Sequence, residues 1–288
     1  MGNSKTLPIG IFDSGLGGIT VLRALYHQLP KESIIYFADT ARLPYGNRSP
    51  EELIQYVREI LTWMEAQGVK MVVMACNTSS AVALDIIRSE FKTPVLGLIL
   101  PGAKGAVKKG KRIGIIATQA TVNSNAYKNA IQEVDPEAEV WQMACPDFVP
   151  LIEANRINDP HTKRVARQYL QPLIDKNIDT LVLGCTHYRH LAGVFKSILP
   201  NHVVCVDPAE YVVKATEQEL ELMGWKNTSP PLPTQFAVSG CPEQFAELSH
   251  RWLGYTPLVE GVDLEKLIAA APISAPQQTS SVQPPKFS

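Results

Sequence analysis

Short apolar runs alternate with longer amphipathic segments along most of this chain. In the first third the apolar runs are PIGIFD, SIIYFAD, VKMVVMA and PVLGLI, and the segments between them, such as SPEELIQYVREILTWMEAQG and SSAVALDIIRSEF, have helical length and spacing. Runs that are apolar at nearly every position are typical of strands covered on both faces. The pattern therefore predicts an α/β fold in which helices flank a mostly parallel sheet. Such sheets bind ligands at the carboxyl ends of their strands.

A second series of strands and helices, from KRIGIIATQATVNSNAYKNAIQE to HVVCVD, resembles the first. Aligning GVKMVVMACNT with NIDTLVLGCTH places Cys76 opposite Cys185, and aligning PIGIFDSGLGG with RIGIIATQATV places Ile9 opposite Ile113. The two alignments have similar offsets, which indicates a duplicated half. We therefore predict two pseudo-symmetric α/β domains, each with one cysteine at the carboxyl end of a strand.

The length of 288 residues is sufficient for two domains of roughly 100 to 150 residues. A Gly-, Pro- and Lys-rich segment, LILPGAKGAVKKGK, predicts a hinge or linker where the halves join. We assign residues 1–98 and 211–270 to the first domain, to which the strand-like QFAVSG and a short helix return, and residues 99–210 to the second. The tail at 271–288 is rich in Pro, Ser and Gln and is predicted to be disordered. The functional site is expected in the cleft between the domains.

Composition excludes several classes of protein. Hydrophobic residues make up 45% of the chain, charged residues 19%, and the net charge of −1 gives no basic excess for nucleic acid. No run approaches the roughly 18 apolar residues that span a bilayer, so we expect a cytoplasmic protein without a membrane partner. The five cysteines are scattered, with no C-x-x-C pair, and predict neither a disulfide framework nor a structural metal site.

Cys76 and Cys185 each follow an apolar strand and precede hydroxyl or amide donors, Asn77-Thr78-Ser79-Ser80 and Thr186-His187. A lone cysteine at a strand end is more often a small core residue, but the repeated context favours chemistry. A helix N-terminus lowers the pKa of a thiol and binds anions, which suits two acid/base thiols and a carboxylate substrate. For Cys145, Cys205 and Cys241, which lack this pattern, structural roles are predicted.

Other strand ends also carry polar groups. GIFDSGLGG presents Asp13 and Ser14, which could simply form a helix cap and a tight turn. The glycine run fails the G-x-G-x-x-G pattern and is not followed by the Lys-Ser/Thr of a P-loop. His187 has two interpretations: a capping or packing residue, or a general acid beside Cys185.

Two thiols that face each other can act in two ways. One is a nucleophile with a resolving thiol, and the other is proton transfer on opposite faces of one carbon. Only the second explains why the halves resemble each other, because the substrate and product of an inverted stereocentre are mirror images. One thiol must then be a thiolate while the other is protonated.

Five motifs, GIFDSGLGG, ADTARLPYG, ACNTSSA, ATQATVNSNAY and LGCTHY, occur in the order and approximate spacing found in the cofactor-independent glutamate racemases, which this chain resembles from about Ile9 to about Gly240. The resemblance implies two α/β domains with the site between them. It also implies that two cysteines racemise glutamate without pyridoxal phosphate or metal, and that the D-glutamate formed is used for bacterial peptidoglycan. A homodimer is implied as well.

The resemblance implies a role for each matching residue. Cys76 would remove the Cα proton of D-glutamate and Cys185 that of L-glutamate. Asp13 and His187 would assist the two thiols, and Glu153 matches a further acidic residue. The implied substrate contacts are Asp13, Ser14, Tyr45, Gly46, Asn77, Thr78, Thr118, Thr121, Thr186 and His187.

The chain departs from the family pattern after GCTHY, where Arg189-His190 replaces the usual Pro-Leu. Two alternatives stay open. An aspartate racemase shares the fold and the mechanism, although His187-Tyr188 favours glutamate. A non-catalytic two-lobed protein would bind glutamate without needing either thiol.

Overall fold

The computed structural model describes residues 4–264, and the predicted disordered tail lies outside them. Within this range the strands form a six-stranded and a four-stranded sheet, and all neighbouring strands are parallel. The strands are β1 (Ile9–Asp13), β2 (Ile34–Ala38), β3 (Met71–Met74), β4 (Val95–Gly97), β5 (Arg112–Ala117), β6 (Glu139–Ala144), β7 (Thr180–Gly184), β8 (Val204–Val206), β9 (Gln235–Val238) and β10 (Val259–Gly261).

Helices connect these strands and cover the sheets. The α-helices are α1 (Ile19–Gln28), α2 (Pro50–Ala66), α3 (Asn77–Val82), α4 (Leu84–Ile87), α5 (Ile99–Val107), α6 (Gln119–Ser124), α7 (Ala126–Val134), α8 (Phe148–Glu153), α9 (Pro160–Ile174), α10 (Ala192–Lys196), α11 (Pro208–Leu222) and α12 (Pro242–Leu253). Short 3-10 helices lie at Ser4–Thr6, Thr40–Arg42, Tyr45–Asn47 and Thr186–Leu191. None of the helices in the described range is long and apolar enough to cross a membrane.

The strand order confirms the predicted pseudo-symmetry. The first sheet has the order β10-β9-β2-β1-β3-β4 and the second β6-β5-β7-β8, so β2-β1-β3-β4 and β6-β5-β7-β8 correspond strand by strand. In the paired registers, Ile9 lies beside Met71 and Ile113 lies beside Thr180. In each half the chain adds a strand on one side of the first strand (β2 beside β1, β6 beside β5) and then crosses to the other side (β3, β7). Parallel sheets form ligand crevices at such switch points.

The sequence explains these elements locally. Every residue of β1, β2, β3 and β7 is buried, as expected for strands covered on both faces. Helix α2 begins with a capping box, in which Ser49 accepts from the backbone N–H of Glu52 and the Glu52 carboxylate accepts from Ser49 N–H. Pro50 follows at the first helical position, where its missing N–H is not needed.

The segment expected to be a hinge is instead helix α5. Pro101 lies in the first turn, where a helix tolerates proline, and the glycines allow close packing. A Cβ on Gly102 would lie 3.1 Å from Pro208, and one on Gly105 would lie 2.6 Å from the ring of Tyr211, so α11 packs directly against α5.

Two further details differ from the sequence-based expectation. The predicted helix SSAVALDIIRSEF is two short helices, α3 and α4, of which α3 begins at Asn77. The Ser79 hydroxyl donates to Cys76 O at 3.1 Å and the Ser80 hydroxyl to Met74 O at 3.3 Å, and such side-chain bonds compete with a regular helix. The proposed domain boundary between residues 210 and 211 falls inside α11.

The two halves pack into a continuous interior. One hydrophobic cluster includes Ile9 and Ile11 of β1 together with Leu181 and Leu183 of β7. Helix α11, which follows the second sheet, packs against α1, and β9 then pairs with β2 of the first sheet. The carboxyl ends of the strands in both halves therefore approach one another.

Candidate active site

A cavity of about 370 Å³ opens where the carboxyl ends of the two sheets meet. Its volume falls in the usual range for small-molecule sites, roughly 300 to 1,000 Å³. Its wall contains Cys76, just after β3, and Cys185, just after β7. These two strands have equivalent positions, since β3 pairs with β1 and β7 pairs with β5. The other lining residues are Asp13, Ser14, Leu43, Pro44, Tyr45, Gly46, Asn47, Asn77, Thr78, Thr118, Gln119, Cys145, Pro146, Val149, Pro150, Glu153, Thr186, His187 and Tyr188.

Cys76 lies directly before α3 and is 5% exposed. The expectation that the helix N-terminus would lower the pKa of this thiol is wrong. Burial and, after it, the charge of Asp13 raise the pKa of Cys76 to about 11, and hydrogen bonds from Ser79 offset only part of the increase. A charge on Cys185 also raises it, so ionisation of one thiol opposes ionisation of the other. At neutral pH Cys76 is therefore a proton donor.

Cys185 has a different partner. Its Sγ lies 3.8 Å from Nδ1 of His187, and Nε2 of the same imidazole lies 3.3 Å from a carboxylate oxygen of Glu153. Burial alone lowers the pKa of His187, but the hydrogen bonds to Cys185 and Glu153 and the charge of Asp13 raise it to about 10. A cationic imidazole beside a thiol favours the thiolate. The Cys185–His187–Glu153 arrangement therefore suits a base.

Asp13 closes the other side of the cavity beneath the glycine turn. Its Oδ2 accepts the N–H groups of Gly15 at 3.0 Å and Gly18 at 2.8 Å. Its Oδ1 is buried and has no hydrogen-bond partner in the described part of the chain. Burial raises the pKa of Asp13, and the charge of His187 with the backbone hydrogen bonds counteracts part of this. An acceptor for an ammonium group or a thiol proton is thus available.

Hydroxyl and amide groups from both halves surround the same space. Thr78, Thr118 and Thr121 form a triangle of hydroxyls, with oxygen separations of 2.9, 2.9 and 3.4 Å, that joins α3 of the first half to α6 of the second. Thr121 itself is fully buried behind Thr118 and does not line the cavity. Asn77 also lines the cavity, and its buried amide nitrogen, Nδ2, has no partner among the described residues. These groups can donate to a carboxylate.

The remaining predicted contacts reach the cavity from two loops. Ser14 lies beside Asp13, and Thr186 follows Cys185, both buried in the wall. Tyr45 donates its hydroxyl to the buried carboxylate of Asp39. A Cβ on Gly46 would lie 3.1 Å from Thr118, so this loop of the first half closes against the second.

Comparisons with known proteins identify the family of this chain. A family profile described as Asp/Glu/hydantoin racemase matches residues 11–216. A protein of Picosynechococcus sp. named glutamate racemase is 80% identical over 275 residues, which are 95% of this chain and 99% of that one. The chain belongs to the Asp/Glu/hydantoin racemase family.

Solved structures of glutamate racemases have the same fold as this family member. Isoform RacE1 from Bacillus anthracis has a TM-score of 0.87 and 37% identity, with 90% of this chain and 98% of that chain covered. The enzyme from Francisella tularensis in complex with D-glutamate has a TM-score of 0.86 and 35% identity, with 91% and 99% covered.

The sequence interpretation missed two features of this racemase-family site. Cys145, assigned a structural role, follows β6 and lines the same cavity as the other two thiols. Its position after a strand could have identified it, although a proline rather than a hydrogen-bond donor follows it.

The glycine run is needed for close packing at the site. A Cβ on Gly17 would lie 2.4 Å from Nδ1 of His187, and one on Gly18 would lie 2.5 Å from Cβ of Asp13.

The unusual Arg189-His190 pair faces away from the thiols. A larger cavity, about 680 Å³, lies between α1, α11 and α12 and includes both residues in its wall. Arg189 binds Asp207 at 2.8 Å and Glu210 at 2.9 Å, and the ring centroids of His190 and Trp252 lie 3.5 Å apart. None of the predicted site residues lines this second cavity within residues 4–264.

Across residues 4–264, no group of three or more His, Cys, Asp or Glu side chains is arranged to hold a metal ion.

Proposed function

We propose that this chain is a glutamate racemase, an isomerase that interconverts L- and D-glutamate by proton transfer between Cα and two thiols. The single observation that carries the proposal is the cavity into which equivalent strands of the two halves bring Cys76 and Cys185. The 64 to 80% identity to proteins named glutamate racemase supports glutamate as the substrate.

The proton transfer begins from unequal thiols. For L-glutamate, the Cys185 thiolate beside the His187 cation removes the Cα proton, and the protonated Cys76 delivers a proton to the opposite face. One C–H bond breaks and one forms, after which Cys185 is a thiol and Cys76 a thiolate, ready for D-glutamate. Glu153 stabilises the cationic form of His187 through Nε2.

Substrate orientation follows from the unpartnered groups. Asp13 Oδ1 is a free acceptor for the α-ammonium, and Asn77 Nδ2 is a free donor for a carboxylate oxygen, as judged within residues 4–264. Thr78, Thr118 and Thr186 add hydroxyl donors, with Thr121 supporting Thr118 from behind. Apolar side chains such as Leu43 and Val149 limit water beside the carbanion that forms as the proton leaves. Ser14, Tyr45 and Gly46 complete the proposed substrate contacts.

Several broader features belong to the same proposal. The reaction uses the two thiols without a cofactor, and the D-glutamate supplies peptidoglycan synthesis and so cell shape. The chain works in the cytoplasm as a homodimer and has no nucleic-acid partner. Its first domain comprises residues 1–98 and 211–270 and its second residues 99–210. These features rest on the family resemblance and on the composition of the sequence.

The test is polarimetry of L-glutamate with the purified protein, and of L-aspartate in parallel. We expect rotation to decay to zero with glutamate and much more slowly with aspartate. Cys76→Ser and Cys185→Ser should each reduce the rate by at least about 100-fold, because each removes a proton-transfer group. Cys205→Ser, at an exposed thiol on β8, is the matched control and should retain the full rate. Faster turnover of aspartate, or undiminished racemisation by both the Cys76→Ser and the Cys185→Ser variant, would contradict the proposal.

A further inference from the structure

The side-chain amide of Asn77 has a hydrogen-bond partner at its oxygen and none at its nitrogen within the described chain. It lies directly after Cys76 at the first position of α3 and is 2% exposed. Its Oδ1 accepts a hydrogen bond of 2.5 Å from the hydroxyl of Tyr127, whereas its Nδ2 is buried in the cavity wall without a partner in the described chain. Because Tyr127 occupies Oδ1, the donor that the amide has free is Nδ2, on a residue that lines the cavity.

Tyr127 comes from the other half of the molecule. It lies in α7, is fully buried, and is not part of the cavity wall. The ring packs closely against two glycines. A Cβ on Gly102 of α5 would lie 3.2 Å from one ring carbon, and a Cβ on Gly184 of β7 would lie 3.3 Å from another. Because packing fixes the ring, the position of the hydroxyl is fixed as well.

The hydroxyl of Tyr127 acts as a donor. Burial raises the pKa of Tyr127 well above its ordinary value, so the phenol keeps its proton. Asn77 is the only hydrogen-bond partner of this hydroxyl within residues 4–264. If the amide were reversed, its Nδ2 would face the phenol oxygen, and the hydroxyl proton would lose its acceptor.

We infer that Tyr127 is a positioning residue, which holds the Asn77 amide so that Nδ2 faces a carboxylate of the substrate. This inference rests on the proposed function. A reversed amide would present its carbonyl oxygen to the carboxylate and repel it. The hydrogen bond also runs from the second half to the residue that follows the thiol of the first, so it orients substrate only when the halves are packed as in this structure.

The first experiment compares Tyr127→Phe with the wild-type protein. The variant keeps the ring and removes only the hydroxyl, so we expect KM to rise about tenfold for both enantiomers, with kcat changed by less than about threefold. A larger KM at constant kcat is the signature of lost binding that is equal in the ground state and the transition state. Tyr26→Phe is the matched control, since its hydroxyl donates to Thr234 at 2.7 Å on another surface, and should leave KM unchanged.

A double-mutant cycle separates positioning from general destabilisation. If Tyr127 acts through Asn77, adding Tyr127→Phe to Asn77→Ala should raise KM less than about twofold further, because no amide remains to be oriented. The same tenfold increase in both backgrounds would overturn the inference, as would an unchanged KM in Tyr127→Phe alone. A wild-type protein that does not racemise glutamate would refute the proposed function and the inference together. A racemising wild type with an unaffected Tyr127→Phe variant would refute the inference alone.

Discussion

At the scale of single residues, the two thiols have equivalent positions but unequal surroundings. Cys76 faces Asp13, and burial with this carboxylate raises its pKa to about 11. Cys185 faces His187, whose pKa is raised to about 10 by the thiol and by Glu153. Under the proposed mechanism, Cys76 is therefore the acid and Cys185 the base when L-glutamate is bound.

The pH dependence follows from these two groups. Because both pKa values are raised, the Cys76 thiol stays protonated and the His187 imidazole stays cationic below about pH 10. Each group loses its proton as the pH rises further. We predict that kcat/KM falls above about pH 10. The profile must be the same for both enantiomers, because mirror-image substrates have equal free energies and the equilibrium constant is one. Initial rates between pH 7 and pH 11 would measure this.

The variant His187→Asn provides the control for this profile. It removes the group with the lower of the two pKa values, so the remaining activity should begin to fall closer to pH 11. A kcat/KM that increases from pH 9 to pH 11 would contradict this account, since it would mean that formation of the Cys76 thiolate limits the reaction.

Sequence patterns located these two residues but did not describe their environment. The repeated order of strand, thiol and donor is local, and so it identifies Cys76 and Cys185. The pKa of Cys76 depends on its burial and on Asp13, which is distant in the chain and buried in the same cavity wall. The partnership of Tyr127 with Asn77 joins two distant motifs in the same way. Contacts between halves have no signature in either segment alone.

At the scale of elements, the turn between β1 and α1 sets the position of His187. The turn passes so close to the imidazole that only glycine fits at position 17. The sequence interpretation treated the glycine run as a candidate phosphate loop and rejected it, because a close approach to a distant helix cannot be inferred from spacing. Helix α5 was missed for a related reason: its glycines indicate tight packing against α11 rather than flexibility.

The variant Gly17→Ala tests the role of this turn. Its Cβ would lie 2.4 Å from Nδ1 of His187 and 2.6 Å from the hydroxyl of Thr186, so the imidazole must shift and its contact with Cys185 is disturbed. We expect kcat to fall at least about tenfold, as for other small displacements of catalytic groups. Gly193→Ala in α10 is the matched control, because a Cβ there meets no described atom within 4 Å. Equal activity of the two variants would show that the turn does not position His187.

At the scale of the whole molecule, the far ends of the strands carry a buried ion pair that joins three parts of the chain. Lys70, before β3, binds Glu32 at 2.5 Å, Lys5 O at 2.8 Å and Trp225 O at 2.9 Å. Glu32 also accepts the backbone N–H of Asn227. This network links the N-terminal segment and the return of the chain after α11 to the first sheet, away from the thiols.

Removing one partner should destabilise the fold without changing the chemistry. Lys70→Met leaves the carboxylate of Glu32 buried without its cation, and we predict that the free energy of unfolding falls by about 3 to 5 kcal/mol. Lys226→Met breaks the exposed contacts of Lys226 with Glu217 and Glu221 and should have a much smaller effect. Urea denaturation would measure both. Equal losses of stability would contradict the importance assigned to the buried pair, as would an altered KM in folded Lys70→Met protein.

The duplicated architecture was predictable from sequence because the repeat extends over whole strands and helices. The alignment of Ile9 with Ile113 and of Cys76 with Cys185 corresponds to the observed registers of β1 with β3 and of β5 with β7. How the halves pack was not predictable, because it depends on α11 and on the clusters that both halves share.

The most direct test of two-thiol racemisation is incubation of L-glutamate in D₂O for the first few per cent of conversion, followed by chiral separation of the two enantiomers and proton NMR of each. A thiolate on one face removes the proton while a deuterated thiol on the other face supplies deuterium. We therefore predict that the newly formed D-glutamate carries deuterium at Cα, whereas the remaining L-glutamate keeps its proton. Transfer of the original proton into D-glutamate, or deuterium in the remaining L-glutamate before product appears, would indicate a single base and contradict the account.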